Sequence, residues 1–159
     1  MDDALRGKVA IVTGGGQGVG RGIALALASR GAAVAITGRR RELIESTLAD
    51  IEARGVRGLA VVADNNDPQA ISQAVEQVVD AFGRVDILVN NAQQVPLGPL
   101  LSVSDEAFTA GFTSGPLASM RYMKACHPHM KSAGGASFST WRALPASAGT
   151  WPITAPMVR

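Results

Sequence analysis

Cysteine is nearly absent from the chain: Cys126 stands alone among 159 residues. That excludes an intrachain disulfide and any zinc cluster built on several cysteines. A reducing, cytoplasmic compartment is the expectation. Aromatic residues are scarce too, at 4%. With few rings to stack on bases and basic residues that do not cluster, a pI of about 9.1 does not point to nucleic acid. No apolar run approaches the ~20 residues of a membrane helix. The start, Met1-Asp2-Asp3-Ala4, lacks the positively charged segment of a secretory signal. Neither a membrane nor a nucleic-acid partner is expected. Acids vanish after Glu106. Residues 1–106 hold 13 acids against 10 Lys and Arg, a balance of −3, whereas residues 107–159 hold 5 Lys and Arg and no acid, a balance of +5.

What is present is a core-forming composition, 47% hydrophobic and 18% charged, which fits one domain rather than a disordered tail. Short apolar runs alternate with helical patterns. Val9–Thr13, Ala33–Thr37, Gly58–Ala63 and Asp86–Asn90 read as buried strands. Val19–Arg30 is rich in Ala and Leu and stops at Gly31. Arg41–Arg54 carries Leu43, Ile44, Leu48 and Ile51 at helical spacing before Gly55. Asp67-Pro68 reads as an N-cap with proline in the first turn, opening a helix that ends at Gly83. Ser104 opens a longer helical stretch, interrupted near Pro116 and expected to end around Pro128. Apolar strands alternating with amphipathic helices predict an α/β fold, doubly wound, with a parallel sheet and right-handed crossovers.

Residues 13–20 read Thr-Gly-Gly-Gly-Gln-Gly-Val-Gly, between the first strand and the first helix. Such a turn lets a phosphate approach the backbone, where a helix N-terminus offers free N–H groups and a positive dipole end. A P-loop is disfavoured, because Gly15 and Gly20 are followed by Arg21-Gly22 rather than Lys and Ser or Thr. Thr13, Gly14, Gly18 and Gly20 give the spacing T-G-x-x-x-G-x-G, which in this position favours a dinucleotide. The alternative is that the glycines only make a tight connection.

This turn resembles that of the short-chain dehydrogenase/reductase family. Four further stretches match at the family's expected positions: Thr37-Gly38-Arg39-Arg40, Asp64, Asn90-Asn91-Ala92-Gln93 and His127-Pro128-His129-Met130. The resemblance spans about residues 5–137. It implies a Rossmann-like three-layer α/β/α domain over residues 1–137, with four strands in the order 3-2-1-4, incomplete on its C-terminal side. It implies a nicotinamide dinucleotide held by Gly14, Gly16, Gln17, Gly18, Val19 and Gly20 at the diphosphate. Asp64 and Asn65 would lie by the adenine, and Asn91, Ala92 and Gln93 along the ribose and nicotinamide. Arg39 and Arg40 stand where an acid would favour NAD(H), and guanidinium groups fit a phosphate, so NADP(H) is favoured over NAD(H). The plainer reading of the arginines is a solvated pair, and of Asn90 and Asn91 a cap on the sheet end. The implied partner is a small carbonyl or alcohol substrate, and the intact parent would be a homo-oligomer.

In the family a Tyr-x-x-x-Lys pair transfers the proton, a Ser polarises the carbonyl and an Asn supports a water relay. This chain has one tyrosine, Tyr122, with Cys126 and not Lys four residues on. Tyr122 reads as a packing residue and Cys126 as a small buried one. With His127–Met130 aligned without gaps the family Asn falls near Gly115, which has no side chain to replace it, and Gln93 takes the place of a Gly. His127 and His129, two apart, do not face one another on a helix and read as a helix end rather than a metal site. No catalytic or metal-ligating residue is assigned, and the chain is expected to be inactive as an oxidoreductase. The alternatives are a non-catalytic dinucleotide-binding or interaction module, or an unrelated doubly wound nucleotide binder.

Residues 138–159 change character. They hold both tryptophans, three of the eight prolines, no Lys and no acid. A strand ending in Ser, then a helix with Tyr and Lys, is what the resemblance implies there. A one-nucleotide shift, with the first bases chosen freely, turns Phe138-Ser139-Thr140-Trp141-Arg142 into I-L-N-L-A. It also turns Ser147–Arg159 into V-R-W-D-L-A-D-Y-G-A-Y-G-A. The glycine at Val158 is forced, because the Met157 codon ends in G. The tail therefore reads as out of frame, the alternative being a natural short chain with an unrelated tail. The coding DNA tests this: restoring the frame should yield Tyr-x-x-x-Lys just past Arg159, and a sequence without it removes the idea. Without a fifth strand, Val85–Asn90 would present an apolar edge, and association would follow.

Overall fold

The computed structural model describes residues 3–96, 98–134 and 137–140. Strands β1 (Val9–Thr13), β2 (Ala33–Gly38), β3 (Gly58–Val62) and β4 (Ile87–Asn90) alternate with helices α1 (Gly18–Ser29), α2 (Arg41–Glu52) and α3 (Pro68–Phe82). A short β5 (Ser137–Thr140) completes a five-stranded sheet in the order β3-β2-β1-β4-β5, with every pairing parallel. All of β1 is buried, as expected of a central strand covered on both faces. Successive strand residues point to opposite faces. Ile11, Ala35 and Leu88 therefore pack toward α3 and the later helix, while Val12, Val34, Ile36 and Val89 pack toward α1 and α2.

Local signals set the element ends. Asp67 caps α3 by accepting a hydrogen bond from the Gln69 N–H at 2.8 Å, and Gly83 closes it in the left-handed region at φ 80°. Below the sheet, Asp86 is a buried anchor, 5% exposed. Its carboxylate accepts from the Val9 N–H at 2.9 Å, Arg84 Nε at 2.8 Å and Lys8 Nζ at 3.2 Å. Burial alone would raise its pKa. The bonds from Arg84, Val9 and Lys8, with the Arg84 charge, outweigh that and hold the carboxyl below its ordinary range.

Two expectations are corrected. The edge of β4 is not open: Ile87–Asn90 pairs with Ser137–Thr140, so the association argument built on that edge loses its basis. A parallel ladder is made by backbone groups, which a Ser-Phe-Ser-Thr segment supplies as well as an aliphatic one. The expectations for residues 141–159 fall outside the described residues.

The second correction concerns the last helix. α4 (Asp105–Phe112), capped by Ser104 Oγ accepting from the Ala107 N–H at 3.2 Å, passes through one π-helical turn, Thr113–Leu117, into α5 (Ala118–Ser132). The wider turn accommodates Pro116, where an interruption was expected. Pro128, however, does not end the helix. Ala118, Tyr122, Cys126 and Met130 form one buried stripe at four-residue spacing, and burying Met130 requires the helix to continue. The proline stands on the exposed side, where water can satisfy the carbonyl it leaves unpaired. Among the described residues, no helix is long and apolar enough to cross a membrane.

Candidate functional site

The C-terminal ends of the parallel strands open into a cleft of about 620 Å³. Its floor is the glycine turn after β1. Thr13 organises it: the Thr13 hydroxyl accepts from the N–H groups of Asn91 and Ala92, both at 3.0 Å, and donates to the Val89 carbonyl at 3.4 Å. Asn91 Nδ2 donates to the carbonyls of Thr13 at 3.0 Å and Gly14 at 3.3 Å. The chain after β4 thus clamps the chain after β1. From behind, the Gly15 N–H donates to the Thr37 carbonyl at 3.2 Å, and Thr47 Oγ1 donates to the Gly16 carbonyl at 3.3 Å.

α1 rises from this turn at Gly18. Its N-cap residue Gln17 makes no side-chain capping bond, and no acid stands in its first turn. The first N–H groups of a helix have no intrahelical partner. Here they carry an uncompensated positive dipole end into the cleft. Gly20 allows this close fit: a Cβ there would sit 2.2 Å from the Gly14 oxygen and 2.5 Å from Asn91 Nδ2. The arrangement fits a diphosphate.

Every cofactor-binding residue expected from the sequence lines this cleft: Gly14, Gly16, Gln17, Gly18, Val19, Gly20, Arg39, Arg40, Asp64, Asn65, Asn91, Ala92 and Gln93. Their states differ. Arg40 donates to Gln17 Oε1, bridging the ends of β2 and the glycine turn. Arg39 is exposed, with no hydrogen bond or ion pair among the described residues. Asp64 Oδ1 accepts from the Asn66 N–H at 2.9 Å and from Asn66 Nδ2 at 3.0 Å, which shapes the rim. Asn65 Nδ2 ties that rim to the Ala92 carbonyl at 3.4 Å and the Ser114 carbonyl at 3.5 Å. Asn90 does not line the cleft: it is buried and neither side-chain polar atom has a partner among the described residues, whereas Asn91 bonds the carbonyls at the end of β1. Gln93 and Gly115 lie against each other, with a Cβ at 115 falling 3.3 Å from Gln93 Oε1. Sequence reasoning missed Ser114, Asn66, Gln94 and Val95 as lining residues. The spacing of Gly111, Ser114 and Gly115 on one helical face was a readable signal for the first.

Tyr122 is away from the cleft. It is fully buried on α5, with its hydroxyl 3.4 Å from Thr37 Oγ1. Burial pushes its pKa up to about 12 against the opposing effect of the Thr37 bond, so it holds its proton in the core. Burial likewise lifts the Cys126 thiol to about 12; it is a packing residue, as expected. His127 and His129 fall in the last turns of α5, and no metal-binding group of three or more such residues occurs among the described residues.

Comparison with known proteins agrees with this architecture. The sequence profile of the short chain dehydrogenase family matches residues 8–138. A 12alpha-hydroxysteroid dehydrogenase from Clostridium sp. is 36% identical over 137 residues, which is 81% of this chain and 53% of the relative. A crystal structure of a short chain dehydrogenase from Burkholderia cenocepacia J2315 in complex with NADP is 41% identical, with a TM-score of 0.77, and is matched over 80% of this chain and 52% of that one. An NAD+-bound xylitol dehydrogenase is 30% identical, with a TM-score of 0.81 over 86% of this chain and 53% of that one. The chain spans about half the length of these relatives. On the profile match and the shared parallel sheet, the chain belongs to the short chain dehydrogenase family.

Proposed function

We propose that this chain binds NADP(H) in preference to NAD(H), as the nucleotide-binding part of an oxidoreductase acting on a small carbonyl or alcohol. The observation that carries the reading is the uncapped start of α1 opening into the same cleft as Arg39, a guanidinium without a partner among the described residues. The turn from Gly14 to Gly20 holds the diphosphate, and Arg39 meets the phosphate on the adenosine ribose. Arg40, held by Gln17, closes the same corner. Asp64 and Asn65 flank the base; Asn91, Ala92 and Gln93 follow the rest of the dinucleotide. The nicotinamide, when bound, supplies or accepts the hydride.

Hydride transfer to a carbonyl also needs a proton, and the cleft must provide it. Among its described lining residues the charged side chains are Arg39, Arg40 and Asp64. The two arginines belong to the phosphate corner and Asp64 to the adenosine side. We therefore propose that this chain alone binds the coenzyme without turning it over. If the whole protein is a homo-oligomer, α4 is the face it would cover, because Phe108 and Phe112 are exposed there. Fluorescence titration with NADPH and NADH, followed by assays on generic ketones and aldehydes, tests the reading. The expected result is saturable NADPH binding, weaker NADH binding and no NADPH oxidation. Turnover would reveal a proton donor outside the residues named, and equal affinity for both coenzymes would remove the role given to Arg39.

A further inference from the structure

We propose that Gln93 and Gly115 form a matched pair that sets a free carboxamide at the β4 end of the cleft. That carboxamide hydrogen-bonds the half of the dinucleotide beyond the diphosphate. The inference rests on the dinucleotide reading above.

Gly115 lies in the π-helical turn and is buried. Its φ is not in the left-handed region, so the backbone does not call for glycine. Space is tight: a Cβ would meet Gln93 Oε1 at 3.3 Å and touch Gln93 Cβ at 3.4 Å, so the carboxamide would have to shift by a few tenths of an ångström to admit it. One turn earlier, a Cβ on Gly111 would meet the Gln94 carbonyl at 3.1 Å and Pro96 Cδ at 3.2 Å. Between them, Ser114 Oγ accepts from the Gln94 N–H at 2.9 Å and donates to the Ala110 carbonyl at 2.8 Å. Small residues at 111, 114 and 115 thus make a shelf on which the segment after β4 is seated.

The shelf fixes the place of Gln93 without using its amide. Gln93 is half-buried and lines the cleft, yet its carboxamide has no hydrogen-bond partner among the described residues. One donor group and one acceptor beside Gly115 are therefore left for a ligand. The sheet order says which part of the ligand. β2, β1 and β4 are neighbours, at about 4.8 Å per strand. With a phosphate at Arg39 after β2 and the diphosphate on α1 after β1, the second half extends over β4 to Gln93. A carboxamide can pair there with the nicotinamide amide or its ribose hydroxyls.

Calorimetry with two ligands tests this: NADPH, and adenosine 2′,5′-bisphosphate, which ends before the second half. Gln93→Leu keeps the contact with Gly115 and removes the hydrogen bonds. It should weaken NADPH about five- to tenfold and leave the bisphosphate unchanged, which also shows that the variant is folded. Gly115→Ala should weaken NADPH in the wild type but not in a Gln93→Ala background, because its effect passes through Gln93. The proposal is overturned if Gln93→Leu leaves NADPH affinity intact, if it weakens both ligands equally, or if Gly115→Ala acts alike in both backgrounds. A wild-type chain that binds neither NADPH nor NADH overturns the dinucleotide reading and this inference with it.

Discussion

Gly20→Ala should destabilise the chain and remove coenzyme binding, while Gly22→Ala, two residues along the same helix, should do neither. A methyl group at 20 would stand 2.2 Å from the Gly14 oxygen and 2.9 Å from its carbonyl carbon. These are backbone atoms, so relief requires moving the turn or the helix. Either shift also breaks the clamp from Asn91 Nδ2, itself 2.5 Å from the new methyl. Overpacking of this kind costs about 1–3 kcal/mol, a fall in Tm of roughly 2–12 °C for a domain of this size. The N–H groups of α1 would no longer converge on one phosphate position, and losing one charge-assisted bond alone weakens binding by roughly tenfold or more. A methyl group at 22 meets nothing within 4 Å and sits inside a helix, where Ala is favoured over Gly by about 0.5–1 kcal/mol. Thermal unfolding and NADPH titration of the two variants side by side give the answer. If they behave alike, the close approach of turn and helix is not what makes the site.

The features legible from sequence were those written in neighbouring residues. Val9–Val12 is apolar throughout because β1 is buried on both faces. Asp67-Pro68 and Gly83 mark the ends of α3 through capping geometry. The cleft residues were legible for a related reason: each stands just after a strand, and parallel strands deliver those positions to one edge. What escaped depends on partners distant in the chain. Ser137–Thr140 becomes a strand because β4 offers an unpaired ladder, not because of its own pattern. Helix α5 passes Pro128 because Met130 has a core to enter, a fact visible only once α3 is in place. Gln93 and Gly115 were each read as a departure from the family pattern, and only the fold shows that one makes room for the other. Arg39 and Arg40 look equivalent in the sequence, yet Gln17 engages Arg40, while Arg39 has no partner among the described residues.

That asymmetry makes Arg39→Asp the sharpest test of coenzyme choice. Family membership does not decide it, since one solved relative holds NADP and another NAD+. The deciding charge must lie where the two coenzymes differ, at the adenosine ribose beside the end of β2. A guanidinium there gives a 2′-phosphate a charge-assisted bond of about 1.5–3 kcal/mol. Replacing it with a carboxylate removes that bond and adds repulsion, so NADPH affinity should fall about 100-fold. NADH carries a hydroxyl at the same place, and a carboxylate can accept a hydrogen bond from it. NADH binding should therefore hold or improve, and the preference should invert. Arg40→Ala should cost less, because Arg40 is already committed to Gln17. Salt separates this electrostatic account from a loss of fold. Arg39 is exposed, and exposed charge pairs are screened over about 10 Å at 0.1 M salt. The NADPH deficit should thus shrink as ionic strength rises, while NADH affinity stays level. Unchanged NADPH affinity in Arg39→Asp, or an equal loss of both coenzymes at every salt concentration, would show that the phosphate is read elsewhere.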